Sequence, residues 1–195
     1  MDRISHSDDS AFMRRGKAWS EATELAPSSF RVRLGGPFRG AWMASLSCRL
    51  AALSLSIDHT HARLTGDQIW IAELHLLALP GAPAALGLDY IALAEQPEPD
   101  RAAAFEVDSY RLIESRDYGG TLMLTLEAAD SLGLLGALLG GLAELELFPL
   151  ELHIETRIGR AYDSLWLAGA SGSPPPAAAT MAAEQLLSRS RKATA

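Results

Sequence analysis

Two short stretches decide the fold: FRVRL at residues 30–34 and LMLTL at residues 122–126. Apolar residues at every second position are typical of a β-strand with one buried face. The two stretches lie 122 − 30 = 92 residues apart, and the same offset relates His61 to His153. It also relates three leucine pairs: Leu50 and Leu142, Leu53 and Leu145, and Leu55 and Leu147. An ungapped register of this length predicts a duplicated strand–helix–strand–strand unit, because the period is too long for a solenoid repeat.

The order of the predicted elements indicates an α+β protein. In the first repeat we predict strands at 30–34, 57–64, 68–77 and 105–114, with helices at 40–53 and 84–95. In the second repeat we predict strands at 120–126, 150–157 and 160–167, with a helix at 133–146. This βαββαβ order predicts two tandem ferredoxin-like units, each an antiparallel sheet with its helices on one face. No fourth strand follows in the second repeat, which is therefore truncated or takes its last strand from elsewhere.

The predicted units divide the chain into four segments. Residues 1–28 form an N-terminal helical extension, with a helix at 8–25. The first unit covers 29–116, and the second covers 117–170 with a βαββ core. Residues 171–195 begin with a linker rich in proline and end in a helix at 177–187.

Composition excludes several classes of protein. The 195 residues include 17 basic and 24 acidic side chains, and a net charge of −7 disfavours direct binding of nucleic acid. A lone cysteine, Cys48, cannot form an internal disulfide, which predicts a reducing, cytoplasmic location. The first 15 residues have no apolar signal segment. The apolar run at 132–150 is broken by Glu144, Glu146 and Pro149, so we expect no membrane span.

No catalytic motif occurs, which predicts a protein that is not an enzyme and has no catalytic residues or cofactor. The chain has no Gly-x-Ser-x-Gly elbow, phosphate loop or dinucleotide-binding glycine fingerprint. His59 and His61 fall on one face of a predicted strand, with His75 and His153 on neighbouring strands. We interpret these histidines as solvated or stacked side chains rather than as metal ligands.

Two further patterns concern packing. Alternation directs Asp58 and Thr60 toward the helices, so either the strand shifts by one residue there or the pair lines a polar cleft. The first helix of each repeat carries small residues one turn apart, namely Ala44 and Cys48 in one and Gly136 and Gly140 in the other. This spacing predicts that the two helices pack against each other about a pseudo-two-fold axis.

Three stretches of the second repeat resemble the ACT-domain family of small-molecule sensors. The stretch LMLTLEAADSLGLLGALL (122–139) is similar to the family's first strand, Asp-x-Pro-Gly-Leu-Leu loop and helix. LELFPLELHIET (145–156) is similar to its turn and second strand, and RAYDSLWL (160–167) to its third strand. Both loops depart from this motif. In the second repeat, Leu132 occupies the position of the motif's proline. In the first repeat, the positions of the motif's aspartate, proline and glycine are occupied by Phe38, Gly40 and Ala41, respectively.

The resemblance implies a ligand site at the loops that precede the two first helices. Its residues are Phe38, Arg39, Gly40 and Ala41, then Asp130, Ser131, Leu132 and Gly133, with His61 and His153 closing the site. Backbone amides at a helix start suit a carboxylate. The expected function is that of a regulatory protein that binds an amino acid or similar small metabolite and acts through a protein partner or as a homodimer. Tandem-ACT transcriptional regulators of the glycine cleavage repressor type are the nearest kind.

Two alternatives to this expectation remain open. One is a ligand-free dimerisation or interaction module on the same fold. The other, from a third class, is an enzyme that uses the face of the sheet bearing the histidines. Thermal stabilisation by an amino acid separates the first two, because stabilisation grows with ligand concentration over the dissociation constant.

Overall fold

Eight antiparallel strands form one continuous sheet in the computed structural model, which describes residues 17–97 and 104–192. The strands are β1 Trp19–Ala26, β2 Ser29–Gly36, β3 Leu55–Leu64, β4 Trp70–Ala78, β5 Ser109–Ser115, β6 Thr121–Ala129, β7 Phe148–Arg157 and β8 Arg160–Ala168. The helices are α1 Trp42–Ala52, α2 Tyr90–Glu95, α3 Leu134–Ala143 and α4 Ala177–Arg189. Short 3-10 turns lie at Ala85–Gly87, Asp117–Gly119 and Ala170–Gly172.

The sheet has internal pseudo-symmetry. Its order is β1-β2-β4-β3-β7-β8-β6-β5, which reads the same from either edge once the repeats are matched. The stretches 30–34 and 122–126 lie in β2 and β6, each second from an edge, so their prediction as equivalent strands is confirmed. The two halves meet at the pairing of β3 with β7, called here the seam.

The N-terminal segment corrects one prediction. Residues 19–26 form strand β1 instead of part of a helix at 8–25, and β1 pairs antiparallel with β2 through a two-residue connection. Trp19 and Ala22 have helical spacing in the sequence, but a hairpin brings β1 onto the free edge of β2. Residues 8–16 of that predicted helix lie outside the described residues.

A second correction concerns the predicted fourth strand of the first unit. The strand observed at 109–115, β5, pairs with β6 and therefore belongs to the second half of the sheet. Each half has the chain order ββαββ, not the predicted βαββαβ. The strand that was missing from the predicted second unit is β5, which precedes β6 in the chain. The predicted helix at 84–95 divides into a 3-10 turn and α2, whose first turn is capped by the Asp89 side chain.

The core lies between the sheet and a layer of helices. Inward-facing leucines are fully buried along the central strands, including Leu34, Leu74, Leu124 and Leu165. Helices α1 and α3 pack against each other, and a Cβ atom at Gly136 would lie 2.6 Å from Cys48 Sγ and 2.9 Å from its backbone nitrogen. The predicted contact between the two first helices is therefore confirmed, and only glycine fits at this crossing.

Candidate functional site

A small cavity lies beneath the start of α3, between α1 and the inward face of the seam. Its lining includes the whole of the predicted loop at 130–133, together with Ile57, Ile154, Thr156 and Asp163. The volume is about 30 Å³. We call it the Asp163 cavity, after the most buried ionisable group in its lining.

Asp163 occupies an inward-facing position of β8, where it pairs with Leu126 in β6 and Ile154 in β7. Its side chain is 3% exposed, and its Oδ1 atom has no hydrogen-bond partner among the described residues. Burial, reinforced by the nearby charge of Asp130, raises the pKa of this carboxyl to about 7. A carboxylate at such a position is costly unless it gains a donor or a cation, and without either it takes up a proton.

The loop before α3 adds further polar groups to the cavity. Burial, followed by the charge of Asp58, raises the pKa of the Asp130 carboxyl. Gly133 has φ +91°, a left-handed conformation that glycine adopts without steric cost. No side chain caps the start of α3. The first amides of a helix have no partner within the helix, so this end attracts an anion.

Strand β3 shows how the polar residues Asp58 and Thr60 are accommodated. The register shifts between Ile57 and His59, so the predicted shift occurs at Asp58, but it does not move Thr60 from its inward position. Thr60 faces inward and is fully buried, and none of the residues in 17–97 and 104–192 provides a hydrogen-bond partner for its Oγ1 atom. Asp58 lies at the shift, where its charge acts on Asp130.

The corresponding loop of the first repeat is chemically different. Phe38, at the position equivalent to Asp130, stacks on Trp42 with ring centroids 5.1 Å apart, and Trp42 lies 5.4 Å from Trp70. Phe38 and Gly40 line a cleft of about 310 Å³ with Trp70 and Phe148. Arg39 and Ala41 line a neighbouring cleft of about 620 Å³ that Phe38 and Trp42 share. Ala72 takes the sheet position equivalent to Asp163. The first repeat therefore has an aromatic ring at the position of Asp130 and a methyl group at the position of Asp163.

His61 and His153 lie on the opposite face of the sheet from both loops. They face each other across the seam, and their rings stack with centroids 4.3 Å apart. They line neither loop cavity, which corrects the expectation that they close the ligand site. The reason is alternation, because their strand neighbours Thr60 and Ile154 take the inward positions. Stacking of the histidines is as predicted.

Glu151 joins the two histidines into a cluster. Its Oε1 atom lies 3.3 Å from Nε2 of His61 and 2.6 Å from Nε2 of His153. Tyr118 donates a hydrogen bond to Oε2 of the same carboxylate. Burial, followed by the proximity of His153, lowers the pKa of His61. We call His61, Glu151 and His153 the seam cluster.

Sequence reasoning missed Asp163 and the role of Glu151. Asp163 carried a usable signal, since it interrupts the apolar alternation of Ala161 and Leu165 in a strand that was predicted correctly. By alternation, Glu151 shares the face of β7 that bears His153. Its position beside His61 depends on the pairing of β3 with β7, which no local pattern encodes.

No family model matches the chain, and no curated protein matches it. Among solved structures, a crystal structure of aspartate kinase from Synechocystis aligns with a TM-score of 0.40 and 13% identity. The alignment covers 73% of this chain and 24% of the kinase chain, so this protein spans about a quarter of that length. Within the described residues, none of the helices has the length and apolar character needed to cross a membrane.

Proposed function

We propose that the protein is a non-catalytic regulator that binds a small amino acid in the Asp163 cavity and acts through a protein partner in the cytoplasm, without contacting nucleic acid itself. One observation carries the proposal. The cavity beneath the start of α3 is lined by the buried carboxyl group of Asp163, and one of its oxygens has no hydrogen-bond partner within the part of the chain that the structure describes. The resemblance of residues 122–139 to an ACT-type strand, loop and helix supports the same location.

The charges of the cavity complement a zwitterion. The ligand's carboxylate would meet the amides at the first turn of α3, where the helix dipole favours a negative group. Its ammonium group would meet Asp163 and Asp130, for which charge-assisted hydrogen bonds are the strong kind. Gly133 has no side chain, which leaves the backbone of the loop open to a close approach.

The size of the cavity restricts the ligand. A volume of about 30 Å³ is the space of one or two water molecules. Glycine and alanine are therefore the first candidates, and even they require Leu132 to move aside. This movement is feasible because Leu132 lies at the rim and is 46% exposed.

Thermal unfolding with each of the twenty amino acids tests the proposal. We expect a small amino acid to raise the melting temperature of the wild-type protein in proportion to the logarithm of its concentration. Asp163→Asn keeps the shape of the side chain but removes the charge, so it should abolish this response. Asp67→Asn removes a charge from an exposed turn and should preserve the response. If no amino acid stabilises the wild-type protein at millimolar concentration, the proposal is wrong.

A second candidate, an interaction module that needs no ligand, rests on a different observation. The face of the sheet opposite the helices carries the exposed apolar side chains Leu77, Ile113 and Tyr162. No α-helix of the described residues packs on this face. A stable homodimer in solution, together with no response to any amino acid, would favour this candidate.

A further inference from the structure

We infer that the seam cluster is a binding site for one divalent metal ion of the zinc class. The three residues each offer one ligand atom: Nε2 of His61, Nε2 of His153 and Oε1 of Glu151. These atoms lie within 4.8 Å of one another. Within the described residues, no other group of three or more histidine, cysteine or acidic side chains meets this criterion. The site is on the opposite face of the sheet from the Asp163 cavity and is independent of the proposed function.

The sheet fixes the three donors on one face. His61 in β3 lies directly opposite His153 in β7, so their side chains project together. Glu151 precedes His153 by two residues in β7 and shares its face. The cluster is partly sheltered, with the side chains of Glu151, His61 and His153 respectively 16%, 27% and 49% exposed. A metal ion could therefore reach the cluster from solvent without any rearrangement of the backbone.

The two distances that Glu151 makes lie near those of a tetrahedral zinc site, and the two histidine ligand atoms are within 4.8 Å of each other. Zinc bonds of about 2.0–2.1 Å separate neighbouring ligand atoms by about 3.3 Å at the tetrahedral angle. The 3.3 Å between His61 and Glu151 already fits this value. The 2.6 Å between His153 and Glu151 must widen, which a rotation of the half-exposed His153 ring provides. Two histidines and one glutamate are an established zinc ligand set that leaves a fourth position for water.

Neighbouring side chains hold the ligands in place. The Tyr118 hydroxyl donates to Oε2 of Glu151, which leaves Oε1 directed at the two histidines. The Trp166 ring lies edge-on to His153, with centroids 5.5 Å apart, and its Nε1 donates to Asp117 at 3.2 Å. Such outer-shell contacts orient the ligands of metal sites.

The duplication explains why the described part of the chain offers a single cluster of this kind. His61 and His153 are equivalent residues, whereas the residue equivalent to Glu151 is His59 (59 + 92 = 151). His59 faces His75, with ring centroids 5.7 Å apart, and adds no carboxylate to the seam. A carboxylate ligand is therefore present on one side of the pseudo-two-fold axis and absent at the equivalent position. We expect the seam cluster to bind one metal ion.

Titration of the metal-free full-length protein with Co²⁺ and with Zn²⁺ tests the inference. We expect Co²⁺ to bind one equivalent with the visible absorption of a four-coordinate nitrogen and oxygen site, and Zn²⁺ to displace it. Glu151→Gln and His153→Gln, each checked for folding by circular dichroism, should each weaken Zn²⁺ binding by at least about 100-fold. Tyr118→Phe should weaken it by about 10-fold, because it removes an outer-shell contact alone.

The matched controls are His59→Gln and His75→Gln, which remove histidines from the same face but outside the cluster. Neither should change the stoichiometry or the Co²⁺ spectrum. The inference is overturned if the wild-type protein binds no Zn²⁺ below about 100 µM, or if either control weakens binding as much as His153→Gln. If one of the variants Glu151→Gln and His153→Gln fails to fold, the Zn²⁺ affinity of the other tests the inference. If both fail to fold, the Co²⁺ spectrum and the metal stoichiometry of the wild-type protein test it.

Discussion

His61 and His153 are the same residue of the two repeats, and they lie directly opposite each other on β3 and β7. A local two-fold axis therefore passes between the two histidine rings, which stack at 4.3 Å. The axis passes close to the seam cluster on one face of the sheet. On the other face it passes close to the contact between α1 and α3. The two loops that precede these helices, 38–41 and 130–133, are related by the same axis. The loop at 130–133 lies beside carboxyl groups, whereas the loop at 38–41 lies among aromatic rings.

Removal of the buried charge of Asp163 should make stability less dependent on pH. Its folded pKa of about 7 lies above the ordinary value of 3.8. The Asp163 carboxyl therefore binds its proton more tightly in the folded state than in the unfolded state. The stabilisation that this proton provides is complete below about pH 4, declines as the pH rises and is lost above about pH 7. Asp163→Asn resembles the protonated acid. Its gain in unfolding free energy over wild type should be small at pH 4.5 and on the order of 2–4 kcal/mol at pH 8.

Urea denaturation of both proteins at the two pH values measures this difference. Asp67→Asn, in an exposed turn, should show no such pH-dependent gain. An equal effect of Asp163→Asn at both pH values would mean that the Asp163 carboxyl does not titrate between them.

Gly136→Ala should destabilise the contact of the two first helices. The added Cβ would lie 2.6 Å from Cys48 Sγ and 2.9 Å from the Cys48 nitrogen, so a backbone has to move. We expect a net loss of about 1–3 kcal/mol in chemical denaturation, despite the better helix propensity of alanine. Gly66→Ala is the control, because nothing lies within 4 Å of its Cβ position. Cys48→Ala should restore part of the loss, and strict additivity of the two changes would contradict a direct contact.

Thr60→Val should stabilise the protein. Thr60 is fully buried, and its hydroxyl oxygen has no partner, so valine removes an unsatisfied polar group without changing the shape of the side chain. The expected gain is about 1 kcal/mol in the free energy of unfolding. The same change at Thr125, on the outward face of β6, serves as the reference for β-propensity. A loss of stability at Thr60 would show that its hydroxyl has a partner in solution, such as a buried water.

Asp130→Asn should weaken binding of a small amino acid without abolishing it. Asp130 is more exposed than Asp163 and contributes a second, weaker attraction to an ammonium group. We expect a loss of about 5- to 10-fold in affinity by calorimetry, or about 1–1.4 kcal/mol. Affinity in the wild-type protein should rise with pH through about 7, since an ammonium group binds the ionised form of Asp163. Unchanged affinity in the variant would move the ligand away from this loop.

Local patterns predicted β2, β6, α1 and α3, because alternation and helical spacing are strong in each. They failed for β1, because the hydrogen bonds that decide its conformation come from pairing with β2. They misplaced β5, because nothing in residues 109–115 specifies a partner upstream or downstream. Likewise, the outward position of the histidines followed from alternation. Their approach to Glu151 required a pairing between strands some 90 residues apart, such as Arg63 with Glu151 (151 − 63 = 88).

The seam also has a consequence for how the chain folds. Within each half the strands pair over modest distances along the chain, beginning with the hairpins β1–β2 and β5–β6. Among the eight described strands, only those of the seam join the two halves, and their paired residues are as distant as His59 and Glu155 (155 − 59 = 96). Contacts of such separation incur the largest loop-closure entropy and form slowly. We therefore expect two nuclei to form early, one in each half, and their union along β3 and β7 to limit the rate at which the native sheet is completed.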